Sequence, residues 1–95
     1  MAKRPRQPSQ LNWEDIRLFL AIAEAGSIRS AAKAVHLHHS TVARRLAKLE
    51  EQLQNKLIRS DMVGISSCSL TPYGADMIPL AKLMLEAAVK IKNAR

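Results

Sequence analysis

Aromatic side chains are nearly missing from this chain, with one Phe, one Trp and one Tyr among 95 residues. A core without them has to be filled by Leu, Ile, Val, Ala and Met, which favours helices over a β-sandwich. A single cysteine, Cys68, excludes an internal disulfide and leaves only one of the thiol ligands that closed zinc sites commonly use. No apolar run is long enough to span a bilayer. The opening MAKRPRQPSQ has no apolar core of the kind a secretory signal needs, so a cytoplasmic protein is expected. There is no Gly-rich phosphate loop, no metal-ligand set and no nucleophile with a plausible base, so an enzyme is not expected. No cofactor and no metal are expected either.

Acidic residues are also scarce. Fifteen Lys and Arg against eight Asp and Glu leave a net charge of +7. That excess on so short a chain points to a polyanionic partner, either nucleic acid or an anionic membrane surface. With 47% apolar residues the chain is expected to fold, as one small domain with a single modest core.

Order is expected from Leu11. Residues 1–10 carry three basic residues and two prolines and read as a flexible basic arm. Asn12 is a good N-cap, with Asp15 placed like the acid of a capping box. Ile16, Phe19, Leu20 and Ala23 repeat at helical spacing and Gly26 supplies a stop, which predicts a first helix over about 13–25. Ser27 can cap a second helix, IRSAAKAV, whose Ala31, Ala32 and Val35 allow close approach. A short turn, LHH, leads to a third helix over about 40–53. There Val42, Leu46, Leu49 and Leu53 form one apolar stripe. Thr41, Arg44 and Lys48 fall on the opposite face, with Arg45 on its flank.

The period then changes. LIRS and SSCSLT are short β-tolerant runs on either side of a segment containing Gly64, and they predict a small two-stranded wing. Thr71 caps a last helix with Pro72 at its first position, and Pro79 should kink or weaken it. Tyr73, Met77, Leu80, Met84, Ala87 and Ile91 form a heptad seam along it, with Ala81, Leu85 and Ala88 as a second stripe for the domain itself. A helix of this length exceeds what a small core can cover. The seam is therefore expected to meet a second copy of the chain.

The expected fold is mainly α: a winged helix-turn-helix of three helices and a small wing over 11–71, followed by a long linker or dimerisation helix over 72–95. In that motif the second helix of the pair enters the major groove of double-stranded DNA. The candidate DNA-binding residues are Ser27, Arg29 and Ser30 at the start of the second helix, then His39, Ser40, Thr41, Arg44, Arg45 and Lys48, with Arg59 at the wing. Arg29, Arg44, Arg45, Lys48 and Arg59 supply charge, while His39, Ser40 and Thr41 offer direct readout. His36, His38 and His39 lie close in sequence but need not converge on a metal. His36 reads as a helix C-terminal residue and His38 as an improvised N-cap.

The run FLAIAEAGSIRSAAKAVHLHHSTVARRLAKLEEQL, with SLTPYG after the wing, resembles the N-terminal DNA-binding domain of LysR-type transcriptional regulators. The resemblance covers the chain from about Leu11 onward. It implies a homodimer joined through antiparallel linker helices on an interrupted inverted repeat. It implies no membrane partner, and a small-molecule inducer acting only through a larger C-terminal domain not contained in this sequence. The chain departs from the family pattern at His39 (usually Gln), Ala43 (usually Ser), Gln54 (usually Gly) and Ser60 (usually Arg). The alternative to a sequence-specific regulator is a nucleoid-type binder without sequence preference.

Overall fold

A computed structural model describes residues 11–59 and 69–94. The basic arm and the greater part of the wing, with Ser60, Gly64 and Cys68, lie outside the described residues. Within them the order is α1 (Trp13–Ala25), α2 (Ile28–Val35), α3 (His39–Leu53) and α4 (Pro72–Asn93).

Each helix boundary has a local chemical cause. The Asn12 side chain accepts the Glu14 amide and starts α1, while Gly26 ends it at φ 85°. One residue later Ser27 accepts the Ser30 amide and starts α2. His36, at φ 60°, closes α2 in the left-handed region. Gln54, at φ 57°, does the same for α3. Both positions carry side chains where glycine is the cheaper choice. Thr71 caps α4 with Pro72 in its first turn.

α1 is the central post, in contact with α2, α3 and α4. Its Ile16, Leu18, Phe19, Leu20 and Ile22 are all buried. That is wider than the single stripe its spacing predicts, because neighbours lie on several sides. α2 contributes Ile28, Ala31 and Ala32, and α3 contributes Val42, Leu46 and Leu49. Leu57 and Ile58, just past α3, complete the core and are essentially inaccessible.

The feet of the predicted wing are joined by one antiparallel bridge between Ile58 and Leu70. The Arg59 amide donates to the Ser69 carbonyl at 2.8 Å, and the Thr71 amide donates to the Leu57 carbonyl at 3.0 Å. The Glu50 carboxylate holds the inner foot by accepting the Leu57 and Ile58 amides at 2.8 and 3.2 Å. Thr71 holds the outer foot. Its hydroxyl donates to the Lys56 carbonyl and accepts the Gly74 amide. Gly74 is buried here, and a Cβ on it would collide with the Leu57 carbonyl oxygen.

α4 is continuous from Pro72 to Asn93 and passes through Pro79. Pro79 is exposed, so the helix-side carbonyl deprived of its partner lies near the surface rather than in the core.

Candidate nucleic-acid interface

α3 separates its faces cleanly. Val42, Leu46 and Leu49 face the core, whereas Ser40, Arg44 and Lys48 are exposed and Thr41 is half-buried. The outward side thus presents two cations and two hydroxyls with no acid until Glu51. The helix begins one residue earlier than predicted, because His38 caps it. The Ser40 amide donates to His38 Nδ1 at 3.2 Å. Nδ1 must therefore carry a lone pair, and the neutral ring holds its proton on Nε2. The Ser40 hydroxyl lies 2.8 Å from the same nitrogen. His39 stacks on His38 with ring centroids 4.4 Å apart at 29°. Partial burial, then the Arg29 charge and the neighbouring His38 ring, hold the His39 imidazole below its ordinary value of 6.5.

On α2, Arg29 and Ser30 are exposed at the first turn. Ser27 is buried, with its oxygen engaged by the Ser30 amide at 3.0 Å. It acts as the cap expected of it. Arg59 is exposed beside the bridge, next to the undescribed wing.

Arg45, half-buried on the flank of that face, has a partner inside the domain. It does not stand free beside Arg44. Its Nε donates to Asp15 Oδ1 at 2.8 Å, across 30 residues of sequence, and Asp15 is only 3% exposed. The carboxylate read as part of a capping box instead ties α1 to α3. A buried carboxylate needs such a partner, so Arg45 serves the fold first.

The predicted seam on α4 also divides. Met77 and Met84 pack partly buried against the domain's own core, beside the fully buried Ala81. Tyr73, Leu80, Ala87 and Ile91 remain exposed, with Leu80 at 60% and Ile91 at 76%. Leu83 joins them at 60%. The two methionines lie seven residues apart on one heptad position, and the helix is rolled so that this position meets the core while the position of Tyr73, Leu80 and Ala87 faces out.

Sequence reasoning missed the Asp15–Arg45 pair and the Glu50 clamp. Neither has a local signal, because each pairs an acid with groups that only the fold brings near. Among the described residues no group of three His, Cys, Asp or Glu is placed to hold a metal. No helix among them is long and apolar enough to cross a membrane.

Residues 13–75 match the model for bacterial regulatory helix-turn-helix proteins of the lysR family. The HTH-type transcriptional regulator YofA of Bacillus velezensis is 36% identical over 72 residues, covering 76% of this chain and 24% of that protein. The chain thus spans about a quarter of that relative's length. Among solved structures, the complex of the CbnR DNA-binding domain with DNA superposes with a TM-score of 0.77 at 29% identity, covering 86% of this chain and 91% of that one. OxyR of Corynebacterium glutamicum in its oxidized form gives 0.78 at 27% identity, covering 94% of this chain and 28% of that one. On this match, with four capped helices in the order the motif requires, the chain belongs to the LysR family of bacterial regulatory helix-turn-helix proteins.

Proposed function

We propose that this chain is the DNA-binding domain of a LysR-type transcription regulator and binds double-stranded DNA sequence-specifically through the outward face of α3. The observation that carries this is the sorting of that helix: its apolar residues are buried, and Ser40, Thr41, Arg44 and Lys48 are left facing out. Arg44 and Lys48 suit phosphates or guanine edges, and the two hydroxyls suit base edges. The similarity to a domain solved on DNA supports the same docking. A nucleoid-type binder is not favoured, since the curated relatives are named as transcriptional regulators.

Two copies act together in this reading, joined through the exposed stripe of α4, on an interrupted inverted repeat in the bacterial cytoplasm. Catalysis has no place in it. A small-molecule inducer would act outside this sequence.

Selection from a random duplex library at near-physiological salt tests the reading. A spaced inverted repeat is the expected product. A single enriched half-site would overturn the pairing of copies, and binding without enrichment would overturn sequence specificity.

A further inference from the structure

We propose that the cleft between α2 and the start of α3 seats one backbone phosphate of DNA, and that seating it places a proton on His39. The inference rests on the reading of α3 as the DNA-facing helix.

The cleft is an open depression of about 400 Å³. Arg29 and Lys33 line it from α2, one turn apart, and His38 and His39 line it from the turn and from α3. The rest of the lining is Ser30, Ala32 and Leu37, so among the described residues no carboxylate lines the cleft. Two permanent charges and two ionisable rings therefore share one concave space with no acidic side chain among the described residues that line it.

Their hydrogen bonding suits an oxyanion. His38 spends Nδ1 on the cap of α3, which leaves Nε2 as its donor. The stack on His38 restrains the His39 ring. Arg29, Lys33 and Ser30 are exposed and add further donors. In the free chain a proton on His39 is disfavoured by partial burial and by Arg29. A phosphate reverses that balance: it offsets Arg29 and accepts a charge-assisted hydrogen bond from the imidazolium.

The sign of the linkage follows. The His39 affinity for protons is low in the free chain and higher in the complex, so the complex holds more protons between the two values. DNA affinity therefore rises as pH falls through the value in the complex, and it levels off below the value in the free chain. One such group changes affinity by at most about tenfold per pH unit.

The test measures affinity of the 95-residue chain for a mixed-sequence duplex from about pH 5.5 to about pH 8, at constant ionic strength. The imidazole nitrogens are followed by NMR in free and bound protein. We expect tighter binding toward acid and an upward shift of the His39 titration on DNA. His39→Gln should give a flat profile. His38→Asn, which keeps a good N-cap and does not titrate, should retain the slope. Parallel profiles for the parent and His39→Gln would overturn the proposal. So would a His39 titration unmoved by duplex, or one moved by inorganic phosphate alone and not by duplex. Failure to bind duplex at any pH would instead sink the DNA-binding reading on which it rests.

Discussion

α3 and α4 both carry an apolar stripe, and the domain treats them in opposite ways. The α3 stripe is closed, with Val42 and Leu49 at 0% exposure. The α4 stripe is mostly open. Ala81 is at 1%, while Leu80, Leu83, Val89 and Ile91 stand between 56% and 76%. A helix that completes its burial within one chain is fixed by that chain, and its outer face is free for recognition. A helix that leaves large aliphatic groups in water keeps apolar surface that the described part of the domain does not bury.

The largest effect should come from opening the closed stripe. Leu49→Ala should destabilise the domain by about 2–5 kcal/mol, read by thermal or urea unfolding. Next, Gly74→Ala should cost about 1–3 kcal/mol, because the new methyl meets a backbone carbonyl that Glu50 and Thr71 hold in place; unchanged unfolding would mean that the foot of α4 is looser than described. Two adjacent arginines then sharpen the contrast between the faces of α3. Arg45→Ala leaves Asp15 buried and unpaired and should cost about 1–3 kcal/mol of stability, with the salt dependence of DNA binding unaltered. Arg44→Ala should leave stability within about 0.5 kcal/mol and flatten the salt slope by about 0.9. The smallest effect on folding should come from the open stripe. Leu80→Ala should change stability by no more than about 0.5 kcal/mol at concentrations where the chain is monomeric. If that stripe joins two copies, Leu80→Ala and Leu83→Ala together should shift the monomer–dimer equilibrium in sedimentation; an unshifted equilibrium would place the joint elsewhere.

Helix boundaries were legible because their chemistry is local. Asn12, Gly26, Ser27 and the Thr71–Pro72 pair act within one turn of themselves, and even His38 announces itself as the last polar group before an amphipathic run. The outward face of α3 was legible for the same reason, since Val42, Leu46 and Leu49 define by spacing what lies opposite them. Long-range pairing was not legible. Asp15 looks like a capping acid until Arg45 arrives from 30 residues away, and Glu50 looks like surface charge until the chain turns back and offers it two amides. The α4 seam was half legible: spacing finds which residues share a face, but not how the helix is rolled against α1. The convergence of Lys33 with the histidines had no signal in the order of residues, since it depends on how closely α2 and α3 pack.

The small junction at Thr71 has a mechanical consequence. One hydroxyl joins the first turn of α4 to the Lys56 carbonyl, and Gly74 lets the helix sit directly on the backbone there. α4 has 22 residues, which at about 1.5 Å each make an arm of about 33 Å. A tilt of about 5° at the pivot would carry its far end through about 3 Å, close to the rise of one base pair. The Thr71–Gly74 seat, together with the packing of Met77, Ala81 and Met84 against the core, thus sets how narrowly the far end of that arm is aimed.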